Sequence, residues 1–321
     1  MSTSSMRAVV QHGFGGPEVL RVAEVARPVP LPTEVLVRVH AAGINPVDWK
    51  TRDGSGMAGV LGEPPFTLGW DVSGVVAEVG FGVTTLKVGD EVYGMPWFPR
   101  AAGGYAEYVT APARQFARKP ATVSHEQAAA VPLAALTAWQ ALVDAADVRP
   151  GQRVLIHAAA GGVGHLAVQF AKHLGAYVIG TASSARHEWL TALGADEVVD
   201  YTAVRFEDAV QDVDVVIDLV GDAHDNTSTR SLDLLRPGGL LVAIPGAGPE
   251  LAEAALAKGV RSTTFLVEPE GPALTRIAEL IDAGRVRVEV EEVFPLEQAA
   301  AAHTRGETGR TRGKLVLRVI A

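Results

Sequence analysis

The chain of 321 residues is 48% hydrophobic and 20% charged, has a net charge of -9 and contains no cysteine. Its length exceeds what one core usually organises, so two domains are expected, and the acidic balance with no basic run argues against a nucleic-acid surface. The missing cysteines exclude disulfides, thiolate zinc sites and cysteine nucleophiles. The first ten residues, MSTSSMRAVV, carry one arginine and no long apolar region, and no apolar segment reaches membrane-spanning length free of charge or glycine. Neither a secretory signal nor an anchor is therefore expected, and a cytoplasmic protein is the expectation.

From Met6 to about Pro120 short β runs alternate with Gly and Pro: RAVVQ, VLRVAEV, EVLVRVHAAGI, SGVVAEVG, DEVYGM and YAEYVTA. This spacing predicts a compact, barrel-like all-β unit. From Ser124 to Asp147 the texture becomes alanine-rich and helical, opened by a Ser124 cap with Gln127 three residues later. Strand candidates then follow at Arg153–Ala159, Ala176–Thr181, Glu197–Tyr201, Val213–Val220, Leu240–Ile244 and Ser262–Val267. Helical stretches separate them, notably Ala185–Leu193 and Ala223–Leu235. Six strands with helical crossovers predict an α/β, doubly wound parallel sheet in the order 3-2-1-4-5-6, with ligand at the switch point above strands one and four. The tail from Ala273 holds a helix, an extended VRVEVEEVF, a second helix and a last strand, KLVLRVI. It is expected to return to the first domain, giving a discontinuous domain of residues 1–123 and 270–321 around a nucleotide-binding domain of residues 124–269.

The segment Arg153 to Leu174, RVLIHAAAGGVGHLAVQFAKHL, carries the main functional signal. A strand enters a turn without bulk and leaves as a helix, with Ala159, Gly161 and Gly164 at the three small-residue positions of a dinucleotide fingerprint. Ala160, Gly161, Gly162 and Val163 are thus expected against a pyrophosphate, with the helix N-terminus supplying partial positive charge. The plain alternative is a tight structural turn. Ala159 replaces the usual first glycine, so this turn must fit a Cβ.

Taken with GVVAEVG at Gly74–Gly80, VGDEV at Val88–Val92, INPVDWK at Ile44–Lys50, PLAALTAW at Pro132–Trp139 and TRGKLV at Thr311–Val316, the chain resembles the medium-chain dehydrogenase/reductase superfamily. Within it, the similarity is to the zinc-free quinone oxidoreductase and enone reductase branch. The resemblance implies a GroES-like β-barrel domain joined to a Rossmann domain, with the active site in the cleft between them. Zinc-dependent relatives carry a cysteine where Asn45 stands and a His-Glu pair where Trp70-Asp71 stand; both are replaced, and the nine histidines form no ligand cluster, so no metal site is expected. Without a Lewis acid to activate an alcohol, reduction of an acceptor that is already electrophilic becomes the expected chemistry.

The segment TASSARH, Thr181 to His187, offers hydroxyls and a cation where NAD-selective folds place an acid. Ser183, Ser184 and Arg186 therefore point to a 2′-phosphate and to NADPH as the cofactor; the plain alternative makes them a helix cap and a solvated first-turn arginine. The resemblance adds Tyr201 beside the adenine-ribose phosphate, Thr137 at the nicotinamide half and Lys314 near the cofactor. Val220, Ile244, Gly246, Phe265 and Val267, at strand ends, are expected around the nicotinamide, with ordinary core packing the alternative for Phe265.

On the acceptor side, Asn45 is expected to hydrogen-bond the acceptor carbonyl and Lys50 to stabilise oxyanion charge. Asp48 would orient Lys50 or simply pair with it, and Trp49 reads as packing. Tyr93, Met95, Trp97 and Phe98 form an aromatic-rich run that suits a flat acceptor or, equally, a domain core; Tyr93, Trp97 and Phe98 are taken as substrate-binding. Protonating an enone at its α-carbon would need water or a nearby hydroxyl such as that of Tyr93 or Tyr105. The resemblance implies an NADPH-dependent quinone oxidoreductase, with an NADPH-dependent reductase of α,β-unsaturated ketones or aldehydes as the chemical rival and a non-catalytic NADPH-binding protein as the rival of another class. A homodimer is expected through the segment Thr263–Val267.

Overall fold

The structure, a computed structural model, describes residues 5–320. The remaining residues, which include most of the polar start of MSTSSMRAVV, lie outside the described residues. Two compact units are present: one holds the chain up to Leu136, Glu268–Gly284 and everything from Val288 on, and the other holds Thr137–Val267 with Arg285–Arg287. The division falls after Leu136 rather than after residue 123, because the short helix His125–Ala129 packs on the sheet of the first unit.

In the first unit the strands are β1 (Ser5–Gln11), β2 (Leu20–Ala26), β3 (Glu34–Ile44), β4 (Phe66–Thr67), β5 (Asp71–Val79), β6 (Glu91–Gly94), β7 (Tyr108–Pro112) and β8 (Phe116–Arg118). Two strands from the C-terminal tail, β15 (Val290–Pro295) and β16 (Lys314–Arg318), join them. One sheet runs β2-β1-β4; the larger runs β15-β16-β3-β5-β6-β8, with β7 also pairing β3. The apolar run EVLVRVHAAGI makes β3 long and almost wholly buried, so three neighbours can cover it. Antiparallel registers set Gly43 opposite Asp71 and Ile44 opposite Leu315, which brings the start of β5 and the start of β16 to the end of β3.

In the second unit β9 (Arg153–Ile156), β10 (Tyr177–Ala182), β11 (Glu197–Asp200), β12 (Val213–Asp218), β13 (Leu235–Ala243) and β14 (Arg261–Thr263) form a parallel sheet in the order β11-β10-β9-β12-β13-β14. This is the 3-2-1-4-5-6 order read from the sequence. The inner strands β9, β10 and β12 are mostly apolar, as buried parallel strands are, and Leu155, Ile179, Val216 and Leu241 meet Phe206, Leu232 and Leu251 in one core.

Local breaks differ from the expectation where polar or cyclic residues interrupt the helical pattern. Pro132 starts a new helix, Pro132–Trp139, inside the Ser124–Asp147 stretch. Asn226, in the left-handed region at φ 49°, divides the Ala223–Leu235 stretch into Asp222–Asp225 and Thr227–Ser231. The last strand stops at Thr263, so Phe265 to Val267 are not sheet.

The turn after β9 accommodates Ala159 through the neighbouring strand. Ala158 takes the left-handed conformation at φ 50°, Ala159 is fully buried, and a Cβ built on Gly180 of β10 would lie 2.9 Å from the Ala159 methyl. Gly180 therefore replaces, across the ladder, the space that the first fingerprint glycine would have left. Gly180→Ala is expected to destabilise the protein by about 1–3 kcal/mol through overpacking, and Ala159→Gly in the same chain to recover most of the loss; urea unfolding midpoints of the two variants measure both effects.

Candidate active site

The second unit gathers its expected cofactor residues along one edge of the parallel sheet. Ala160–Val163 follow β9, Ser183–Arg186 follow β10, Tyr201 follows β11, Val220 follows β12 and Ile244–Gly246 follow β13. All lie beyond the carboxyl ends of their strands, where open α/β sheets bind ligands. Ala160 to Val163 are half-buried and open onto the ten-residue helix Gly164–His173. Gly164 lets that helix seat on the turn, since a Cβ there would come within 2.3 Å of the Ala158 carbonyl oxygen. Gly161 leaves room in front of the helix; the Ala158 carbonyl oxygen, at 3.3 Å, is the sole atom near a Cβ built there. A small-residue turn leading into a helix N-terminus fits a pyrophosphate.

Hydrogen bonds hold this edge in place. The Ala158 amide donates to Thr181 Oγ1 at 3.3 Å, and that oxygen lies 3.2 Å from His157 Nδ1. His157 Nε2 meets Ser231 Oγ at 2.9 Å, and Ser231 Oγ donates to the Thr227 carbonyl at 2.6 Å. Ser231 has its proton committed, so His157 Nε2 donates to it and Nδ1 accepts from Thr181, which fixes the neutral tautomer. Burial lowers the His157 pKa to about 4. After β12, Asp218 accepts from the amides of Val220 at 2.8 Å and Gly221 at 3.2 Å and from the Ser228 hydroxyl, setting the path of that loop.

At the far end of the edge the structure adds a residue absent from the sequence reading. Asp200 closes β11, and its carboxylate accepts from the Thr202 amide and hydroxyl at 2.9 and 2.6 Å and from the Ser184 amide at 3.2 Å. The Thr202 hydroxyl holds its pKa below the usual carboxylate value. An ionised acid therefore borders Ser184, one that the segment TASSARH does not itself contain. Ser184 and Tyr201 are exposed, and Ser183 and Arg186 half-buried. Thr137 is buried in the helix Pro132–Trp139, Ile244 and Phe265 are half-buried, Val267 is buried and Gly246 is exposed at φ 92°.

In the first unit Asn45 sits at the end of β3 and caps the helix Pro46–Arg52. Its amide donates to Asp48 Oδ2 at 2.7 Å, and the Asp48 amide returns to the Asn45 carbonyl at 2.9 Å. Its side-chain Nδ2 donates to Asp71 Oδ2 at 2.8 Å, and Lys314 Nζ donates to its Oδ1. Lys314 Nζ also donates to the Ile44 carbonyl at 2.7 Å and lies 3.6 Å from Asp71 Oδ2. Asp71 Oδ1 accepts from the Leu133 amide at 2.7 Å. Asn45, Asp48, Asp71 and Lys314 are all buried. Burial raises Asp71 and lifts Asp48 to about 7, and it lowers Lys314 against the pull of the two carboxylates.

Behind Asp48 the buried Tyr105 hydroxyl lies against its carboxylate and 3.3 Å from His303 Nε2. His303 Nδ1 is 3.3 Å from Arg52 Nη1, and Arg52 Nη2 donates to Glu307 Oε1 at 2.6 Å. A guanidinium only donates, so Nδ1 accepts and Nε2 carries the proton toward Tyr105. Burial brings the His303 pKa down to about 3.

Several expectations change. Asp48 does not orient Lys50: residues two apart on a helix face different ways, and Asp48 turns inward while Lys50 is exposed. Lys314, expected near the cofactor, has its ammonium engaged by Asn45, Ile44 and Asp71. In the aromatic run Tyr93 and Phe98 are interior packing, while Trp97 is half-buried. Tyr93 is fully buried and donates to the Leu274 carbonyl at 2.5 Å, Phe98 stands edge-on to Trp70, and Trp97 Nε1 donates to the Thr110 carbonyl at 2.7 Å. Tyr105 is likewise enclosed. Among the described residues no three His, Cys, Asp or Glu side chains are grouped to hold a metal.

Comparison with known proteins agrees with this architecture. A model described as the alcohol dehydrogenase GroES-like domain matches residues 31–121, and one described as zinc-binding dehydrogenase matches residues 193–317. The chain is 35% identical to NAD(P)H oxidoreductase RTN4IP1, mitochondrial, of Danio rerio, over 98% of this chain and 92% of that protein. It is also 35% identical to the NADPH-dependent alkenal/one oxidoreductase, chloroplastic, of Arabidopsis thaliana, over 97% and 79%. The quinone oxidoreductase of Coxiella burnetii superposes with a TM-score of 0.92 at 39% identity, over 99% of this chain and 100% of that one. A GroES-like unit with a nucleotide-binding parallel sheet defines a medium-chain reductase. The chain belongs to the medium-chain dehydrogenase/reductase superfamily, in its zinc-free quinone oxidoreductase branch, and is an NAD(P)H-dependent oxidoreductase. This sets aside the reading as a non-catalytic cofactor-binding protein.

The two neutral histidines carry a stability consequence. Their folded pKa values, about 4 for His157 and about 3 for His303, lie below the ordinary 6.5, so between those limits the unfolded chain takes up protons that the folded one refuses. Stability from both is full above pH 6.5 and is lost as pH falls toward 4 and 3. Asp48 works oppositely: raised to about 7, it favours the fold at low pH and loses that contribution as pH rises through 7. His303→Gln, which keeps one acceptor and one donor, is expected to shift the acid limb of the melting-temperature profile to lower pH; thermal unfolding from pH 8 to pH 4 measures it.

Proposed function

We propose that the protein reduces quinones with NADPH. The observation that carries this reading is the Asn45 carboxamide, buried at the end of β3 with one N–H and its oxygen taken up by Asp71 and Lys314. Its second N–H is a neutral donor suited to an acceptor oxygen that gains negative charge. When bound, NADPH supplies the hydride. Ala160, Gly161, Gly162 and Val163 would hold its pyrophosphate, and Ser183, Ser184, Arg186 and Tyr201 its phosphorylated ribose. Val220, Ile244, Gly246, Phe265, Val267 and Thr137 would border the nicotinamide. Asp200 sets a negative charge beside Ser184, which Arg186 would have to offset for a 2′-phosphate to bind there. Lys50, exposed on the helix that Asn45 caps, would add positive charge for the reduced acceptor.

A hydroquinone anion takes its proton from water, so no acidic side chain is required. This favours a quinone over an enone, whose α-carbon needs a placed proton while Tyr93 and Tyr105 are enclosed. The reading as a reductase of α,β-unsaturated ketones or aldehydes is kept as the second one, since a relative at 35% identity is named for alkenal and alkenone reduction. The proposal includes a cytoplasmic location and a homodimer. Edge strand β14, with the exposed Leu266 beyond it, is the surface for pairing.

NADPH is expected to be oxidised when 1,4-naphthoquinone or phenanthrenequinone is added, faster than with small enones and with deuteride leaving one face only. Comparable rates on an enone panel and none on quinones would transfer the assignment to the second reading. Arg186→Ala is expected to raise the KM for NADPH about tenfold, the worth of one charge-assisted hydrogen bond, while leaving that for NADH unchanged; initial rates with the two coenzymes decide it.

A further inference from the structure

We propose that Lys314 and Asp71 are positioning residues for acceptor reduction: together they fix the Asn45 carboxamide in one of its two flips, so that a single N–H remains for an acceptor oxygen. The inference rests on the reading of Asn45 given above and assigns the device that makes that residue work.

The two ends of a carboxamide are nearly the same size, so shape alone does not choose between its flips. Charge does so here. A carboxylate only accepts and an ammonium only donates, and they stand at opposite ends of Asn45: Asp71 Oδ2 is 2.8 Å from Nδ2, and Lys314 Nζ donates to Oδ1. Turned over, the amide would set its oxygen against a carboxylate and its NH2 group against an ammonium. Both contacts would be repulsive in a place without water, with Asn45, Asp71 and Lys314 all buried.

Each clamping group is itself held. Lys314 is tied to the Ile44 carbonyl at 2.7 Å and Asp71 to the Leu133 amide at 2.7 Å, while the Asn45 amide is tied to Asp48 at 2.7 Å. These bonds use the backbone N–H of Asn45, its Oδ1 and one Nδ2 hydrogen. The second Nδ2 hydrogen, fixed in the amide plane, is the one donor left over. An ammonium on Oδ1 also draws charge from the amide, which strengthens that remaining N–H as a donor.

Stability alone does not account for the arrangement. A buried ion pair is often no better than apolar residues of the same volume, so a carboxylate and an ammonium at the two ends of one carboxamide are poorly explained as a fold stabiliser. They are well explained as an orienting device.

The test uses the whole enzyme with NADPH and 1,4-naphthoquinone. Lys314→Met leaves Asp71 without its cation and risks poor folding, so it is paired with the charge-balanced double variant Asp71→Asn/Lys314→Met, each checked by circular dichroism. The clamp predicts that kcat falls about tenfold in the double variant while the KM for NADPH stays within twofold. In an Asn45→Ala background the same pair of changes should cause no further fall, because nothing remains to be oriented. An unaltered kcat in the double variant, or an equal fall with and without Asn45, would overturn the proposal. If Asn45→Ala alone leaves quinone reduction at the wild-type rate, the acceptor reading fails first, and that result is separate from a failed clamp.

Discussion

A lysine ammonium with almost no access to water stays charged only where fixed negative groups offset the loss of hydration, and the first unit is built to supply them. Burial lowers the Lys314 pKa, and Asp71 and Asp48 raise it again. None of the three charges is near another in the chain. They meet because β3 is apolar enough to be covered on both edges, and because its pairing registers with β5 and β16 set Asp71 and Lys314 against its last residues. A register slip of one residue in either pair would turn a charged side chain to the other face of the sheet. The cluster thus depends on the same alternation that buries Val35, Val37 and Val39, and the returning C-terminal strand is a chemical component as well as a structural one.

The second unit meets a different constraint, the close approach of a helix to the sheet. The fingerprint needs small residues at three places, and this chain uses alanine at the first. The methyl group is tolerated because Gly180 on the adjacent strand lacks one, and because Ala158 takes the left-handed conformation under restraint from Thr181. Such exchanges between neighbouring strands relax the fingerprint while keeping the path of the backbone. They also show why a motif read along one strand understates what the turn requires.

These two cases mark how far the sequence is legible. The order of the six parallel strands and the return of the tail follow from local texture and from the handedness of crossovers, so they can be read directly. The nucleotide-binding turn is legible because its three small residues lie in one short segment, although Gly180 and Thr181 of the adjacent strand complete it. Asn45 is marked by the INPVDWK segment that carries the family resemblance, but its partners Asp71 and Lys314 depend on register, which no local pattern encodes. Asp200 was missed for the same reason: it adjoins Ser184 across the sheet and lies far from it in the chain. In the aromatic run from Tyr93 to Phe98 hydrophobicity is the same signal for a core and for a flat ligand; burial and the bond to Leu274 place Tyr93 in the core, whereas Trp97 stays half-buried. Asp48 and Lys50 seemed a pair by adjacency, whereas helical geometry sends them in different directions.

His157 and His303 carry this logic into both units. Each is buried and neutral, with its tautomer set by a neighbour whose proton direction is already committed: Ser231 in one case, Arg52 in the other. Both serve as oriented links between polar groups, His157 between the Thr181 and Ser231 hydroxyls and His303 between Arg52 and the Tyr105 hydroxyl. A histidine used in this way gives up its ability to titrate near neutrality, since charging it would require a donor to become an acceptor at a fixed distance. Loss of activity in mild acid would therefore report the opening of these links together with protonation of Asp48, which holds the Asn45 amide. A pH profile of rate gains meaning for catalysis only in the range where the stability profile is flat.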